Sequence, residues 1–168
     1  DLFPNIFHPL TFLNLNINRG HFQPGTDFKL FELKDILFSD LICYESSIPS
    51  IAREFINKGS EFLIIQANDG WLGDSYGPYQ HFELARLRAI ENRVPVIRAA
   101  NTGISGIIYP DGSVHKKVRI GKQQVFMEKI KFGENKSLYS IYGDIIAIVC
   151  FLVTTLFVGY ICKKQYYS

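Results

Sequence analysis

The chain of 168 residues has only three cysteines, one methionine and one tryptophan. Cysteines 43, 150 and 162 are odd in number and far apart, and two of them lie in or beside an apolar run, which argues against a disulfide framework. Charge of one sign is also lacking: 18 basic and 16 acidic residues leave a formal net charge of +2. No basic stripe is present to track phosphates, so nucleic acid is not an expected partner. Histidines 8, 21, 81 and 115 do not have metal-ligand spacing, and no glycine-rich phosphate cradle occurs. Neither a metal nor a cofactor is called for. The chain begins Asp1-Leu2-Phe3-Pro4, with no initiator methionine, signal peptide or first hydrophobic span, and reads as the C-terminal piece of something longer.

One long hydrophobic run is present. Ile145 to Cys162 carries no charge, and its polar interruptions are two threonines able to bond back to helix carbonyls. Its 18 residues give roughly 27 Å as a helix, close to the hydrocarbon thickness of a bilayer. Tyr139 and Tyr142 precede it, Tyr160, Tyr166 and Tyr167 stand at its far end, and Lys163-Lys164 follow. The tyrosines suit headgroup level, and the lysine pair predicts a cytoplasmic tail. The rest of the chain then lies across the membrane, which in a bacterial inner membrane means the periplasm.

The remainder, with 47% of the whole chain hydrophobic, can bury a real core and reads as α/β. Residues 1 to about 28 are irregular, closed by Gln23-Pro24-Gly25. Strands are predicted over Phe28 to Leu33, Ile36 to Cys43, Glu61 to Ala67, Val94 to Ala100, Ile104 to Tyr109, Val114 to Val118 and Gln123 to Ile130. The almost wholly apolar run at Glu61 to Ala67 is of the type covered on both faces. Helices are predicted over Ile48 to Lys58, with Ser46 or Ser47 as cap and Pro49 in the first turn, and over Tyr79 to Asn92.

Cys43 is the candidate nucleophile. It closes an apolar strand and is followed at once by Tyr44-Glu45-Ser46-Ser47-Ile48-Pro49, a sharp turn that aims a thiol at the start of the next helix. Backbone N–H groups there favour a thiolate and a later oxyanion. The alternative is a small apolar filler, the usual role of a free cysteine. Beside it, Tyr44 reads as a packed aromatic and Glu45 as a carboxylate at a helix start. Trp71, with Asp69 and Asp74, either shapes the entrance of a site or belongs to plain Asn-Asp-Gly turn chemistry. Asn101, in Asn101-Thr102-Gly103, lines the site or simply joins two strands. His81 is read as a hydrogen-bonded packing residue rather than a base, and Gly103-Ile104-Ser105-Gly106 has the wrong spacing for a serine elbow.

Four blocks carry a resemblance. Leu41-Ile42-Cys43-Tyr44-Glu45, Asn68 to Ser75 with Gly77-Pro78-Tyr79-Gln80-His81-Phe82, Arg86 to Glu91, and Arg98 to Ser105, in that order and followed by the terminal span, resemble the apolipoprotein N-acyltransferase family of the nitrilase superfamily. The resemblance implies an αββα sandwich, of which residues 1–138 are the C-terminal part, with residues 139–168 forming a transmembrane helix and short tail. It also implies a Glu–Lys–Cys triad in which Cys43 is the nucleophile, with Tyr44 and Glu45 as supporting residues beside it and an acyl or lipid entrance for Trp71, with Asp69 and Asp74, to shape. Acyl transfer would run from a phospholipid donor, through a Cys43 thioester, to the N-terminal amine of a diacylglyceryl-cysteine apolipoprotein.

In that family the triad glutamate and lysine precede the cysteine, in a half of the domain lying before residue 1. Lys29 and Lys34 lack the family's lysine context. The missing N-terminal half is therefore an expected partner, and without it half a sandwich exposes a sheet face and is expected to aggregate. Two other readings stand beside the enzyme: a nitrilase-type amidase acting on small amides, and an inactive membrane-anchored remnant lacking the triad Glu and Lys.

Overall fold

The computed structural model describes Gly25, residues 27–133 and residues 136–166. The irregular segment expected before residue 25 lies outside the described residues. Six strands form one sheet in chain order: β1 (Phe31–Leu33), β2 (Ile36–Ile42), β3 (Phe62–Asn68), β4 (Val96–Asn101), β5 (Ser105–Ile108) and β6 (Val114–Val118). Pairs β2–β3 and β3–β4 are parallel, and the outer pairs are antiparallel. A parallel pair needs a crossover, and α1 (Pro49–Asn57) and α2 (Gly77–Asn92) supply the two. Crossovers of one hand put both helices on one face of the sheet.

The core lies between that face and the helices. Leu41, Leu63, Ile65, Val96 and Ile108 from the strands meet Ala52, Phe55, Ile56, Phe82, Ala85 and Ala89 from the helices. Small alanines on both helices admit close approach to the sheet. The opposite face is open among the described residues: the register aligns Ile42 with Gln66 and Gln66 with Ala99, and all three are exposed. The run at Glu61 to Ala67 is thus covered on one face, not two. Its Gln66 amide reaches across to Asp40 Oδ2 at 2.7 Å.

Two further expectations are corrected. Gln123 to Ile130 is not a strand; the sheet ends at β6, no partner strand lies beside this segment among the described residues, and Val125 and Met127 are 97% and 96% exposed. Neither Ser46 nor Ser47 caps α1, because Ile48 takes the N-cap position without a side-chain bond. Ser46 is instead used inside a 3-10 turn, Cys43–Ser47, which separates β2 from α1.

A short helix, α3 (Leu138–Tyr142), is capped by Ser137, whose Oγ accepts the Ser140 N–H at 2.9 Å. The Arg53 guanidinium of α1 donates to the carbonyls of Tyr139, Ser140 and Ile141 at 3.1, 3.0 and 2.8 Å. After Gly143, whose φ of +64° ends the turn, α4 runs over Ile145–Tyr166 with no buried residue. Its 22 residues span roughly 33 Å, so by length and composition it is able to cross a membrane. Arg53 thereby fastens the root of α4 to the sheet domain. Arg53→Ala removes three charge-assisted bonds at a helix C-terminus and is expected to cost about 1–3 kcal/mol locally. Limited proteolysis should show faster cutting around Gly143, with the sheet domain still intact.

Candidate active site

Cys43, Asp69 and Asn101 stand at or just beyond the C-terminal ends of the parallel strands β2, β3 and β4. In open α/β sheets this rim is where ligands bind. Cys43 begins the 3-10 turn with φ of +51°, a left-handed conformation uncommon for a residue with a side chain. The turn is closed by its own residues: Glu45 Oε2 accepts the Ile42 N–H at 2.7 Å, and Ser46 Oγ donates to the Cys43 carbonyl at 2.7 Å. The Cys43 side chain is half-buried against the edge of the core, while Tyr44 and Glu45 are exposed.

Behind the turn is a buried ionic network. Arg98 of β4 is 1% exposed and Asp69 is 2% exposed. Arg98 Nη2 donates to Asp69 Oδ2 at 2.7 Å, and its Nε donates to the Ile104 carbonyl at 3.1 Å. Asp69 Oδ1 accepts from His81 Nδ1 at 2.7 Å. His81 Nε2 stands 3.1 Å from both the Cys43 carbonyl and Ser46 Oγ. Burial pushes the Arg98 guanidinium below its ordinary range, and Asp69, with a smaller contribution from Cys43, acts against that push.

The other sequence candidates are placed differently. Trp71 lies in a second 3-10 turn, Gly70–Leu72, and is 71% exposed. Asn101 ends β4 opposite Asn68, exposed, with its carbonyl accepting the Asp69 N–H at 3.3 Å and the Thr102 Oγ1 hydroxyl at 2.6 Å. It borders a groove of about 770 Å³ on the open sheet face, lined also by Gln66, Ala99, Thr102, Ser105 and Lys122. Cys43 is not among the lining residues. Lys34 occupies the β1–β2 turn, at the other end of β2 from Cys43. The seven-residue strand puts roughly 20 Å between them, so Lys34 cannot reach the thiol. Lys29 is exposed ahead of β1.

The residues undervalued in the sequence are Ser46, Asp69 and Arg98. A signal existed for one of them: an arginine inside the apolar run Val94 to Ala100 must be buried, and a buried guanidinium requires an anionic partner.

Comparison with known proteins agrees with this architecture. Two solved structures share the fold, a carbon-nitrogen hydrolase from Helicobacter pylori G27 and a Saccharomyces cerevisiae member of branch 10 of the nitrilase superfamily. The first has a TM-score of 0.55 at 20% identity, covering 61% of this chain and 43% of that one. The second has a TM-score of 0.51 at 25% identity, covering 60% of this chain and 40% of the other. Among curated proteins, the apolipoprotein N-acyltransferase of Geobacter metallireducens is 37% identical over 131 residues, 78% of this chain and 25% of that protein. That of Rickettsia bellii is 39% identical over 127 residues, 74% of this chain and 25% of that protein. The chain therefore spans about a quarter of the length of these relatives. The family model for carbon-nitrogen hydrolases matches residues 2–137, all of the sheet domain including the Cys43 turn and the network behind it, and on that match the chain belongs to the carbon-nitrogen hydrolase family.

Proposed function

We propose that this chain is the cysteine-bearing part of an N-acyltransferase that completes the lipidation of bacterial lipoproteins. The observation that carries the reading is the left-handed Cys43 turn at the strand rim, in a chain whose curated relatives are named apolipoprotein N-acyltransferase. The Cys43 thiolate attacks an ester carbonyl of a phospholipid, the acyl–oxygen bond breaks, and the lysophospholipid leaves as an alcohol after taking a proton. The free α-amine of a diacylglyceryl-cysteine apolipoprotein then attacks the thioester, forming the amide and returning the thiol. A thioester divides a difficult amide synthesis into two easier steps.

A base and a further cation are needed for both steps, and we assign them to a glutamate and a lysine from the portion of the enzyme N-terminal to this chain. That portion also covers the open sheet face, completing the sandwich. Residues 1–138 serve as the catalytic part and residues 139–168 as the membrane unit. The enzyme sits in the inner membrane with its catalytic part periplasmic and Lys163-Lys164 on the cytoplasmic side. Glu45 keeps the turn closed, Tyr44 flanks the thiol, and Trp71 and Asn101 line the approach of the lipid chains.

The test is mass spectrometry of the full-length protein in detergent after incubation with phospholipid. The expected product is one acyl mass on the Cys43 peptide, released by hydroxylamine. An unmodified Cys43 under conditions where apolipoprotein is being acylated would refute the thioester route.

A further inference from the structure

His81 does more than pack, because the acceptor in front of its Nε2 is the main-chain carbonyl of Cys43 itself. That carbonyl receives Ser46 Oγ from within the turn at 2.7 Å and faces His81 Nε2 at 3.1 Å from helix α2, across a sequence separation of 38 residues. The ring cannot swing away, since Nδ1 is fixed on Asp69 Oδ1 at 2.7 Å and Asp69 is fixed in turn by Arg98. With the Nδ1 hydrogen given to Asp69, donation from Nε2 to the Cys43 carbonyl takes the ring protonated on both nitrogens. One chain of bonds thus runs from β4 through the β3–α2 loop and α2 to the peptide unit following the candidate nucleophile.

We propose that His81 is a positioning residue for Cys43, acting through the Cys43 carbonyl to hold the left-handed turn in its reactive shape. The inference deepens the proposed transfer and rests on Cys43 being its nucleophile. The φ of +51° at Cys43 is a conformation that a residue with a Cβ leaves when its surroundings allow. Pinning the carbonyl opposes that relaxation. The peptide unit is planar and trans, so a carbonyl held toward α2 turns the Tyr44 N–H to the opposite side. That N–H opens the 3-10 turn, where an amide can meet a developing oxyanion. His81 therefore sets two things at once: the direction of the thiol and the direction of the first amide beyond it.

The two ends of the imidazole separate positioning from packing. Glutamine places its amide nitrogen near the position of Nε2 and keeps a donor for the Cys43 carbonyl, though it loses the contact with Asp69. Phenylalanine keeps the ring volume and has no donor. We would measure, in the full-length protein in detergent, the rate at which iodoacetamide alkylates Cys43, read on its own peptide, together with acylation by phospholipid and the melting temperature.

His81→Phe is expected to slow alkylation about tenfold and to lower the kcat of acyl transfer about a hundredfold, the scale of one lost oriented donor. KM for phospholipid should be unchanged. His81→Gln should stay within about threefold of the wild type in both, the pattern of a restored donor. Equal losses in the two variants that follow the melting temperature would overturn the proposal, as would two variants equal to the wild type. If the wild type forms no acyl thioester while alkylation still separates Phe from Gln, the positioning role stands and the acyltransfer reading fails. If the wild type acylates and the two variants do not differ, the positioning role fails alone.

Discussion

Cys43→Ala in the full-length protein is expected to abolish amide formation on apolipoprotein, with a loss of at least about four orders of magnitude, the scale seen when a covalent nucleophile is removed. The protein should still fold. Cys43 is only half-buried at the margin of the core, so the lost packing is small, and alanine meets the same left-handed φ that cysteine already tolerates. A change in melting temperature within about 2 °C is expected for so small a truncation. Cys43→Ser is the sharper experiment. It keeps the shape of the turn and offers an oxygen nucleophile, but a hydroxyl is a weak nucleophile until a base takes its proton. Serine should therefore be as inactive as alanine. Activity retained in either variant, measured as amide product in reconstituted vesicles, would remove Cys43 from the chemistry altogether.

The sequence made Cys43 visible because its information is local: an apolar strand, a sharp turn and a helix start with Pro49 are all read from neighbours along the chain. The parallel strands β2, β3 and β4 and their crossover helices were legible for the same reason, since the period of each segment is set by the face it buries. The strand expected at Gln123 to Ile130 failed because pattern says nothing about whether a partner strand is available, and the sheet ends at β6. The two-sided burial expected of Glu61 to Ala67 is met on one face only among the described residues: Gln66 already marked a polar face, and the register shows that face open there from β2 to β4. The His81 network was hidden because its members come from three separate segments. Asp69 reads as a turn residue, His81 as a helix residue and Arg98 as an oddity in a strand, and only the fold brings them onto one another and onto the Cys43 turn.

Gly103 gives the most demanding test of that network. Its φ lies outside the left-handed region that favours glycine. The cost is steric. A Cβ at residue 103 would overlap Asp69 Oδ2 and come within 2.7 Å of Asp69 Cγ and 2.8 Å of its Cβ. Asp69 would have to move, and in moving would leave the Arg98 guanidinium buried with its carboxylate partner displaced and His81 without its anchor. Separating a buried ion pair in this way costs about 3–5 kcal/mol. For a unit of this size that corresponds to a fall of roughly 10 °C in melting temperature. Because the damage passes through Asp69, it is not additive with removal of that side chain. In an Asp69→Ala background, Gly103→Ala should cost less than about 1 kcal/mol, a coupling well beyond the usual error of such cycles. A full penalty for Gly103→Ala in both backgrounds would mean that the glycine is needed for some other contact, and that the carboxylate holding Arg98 and His81 is not what its missing side chain makes room for.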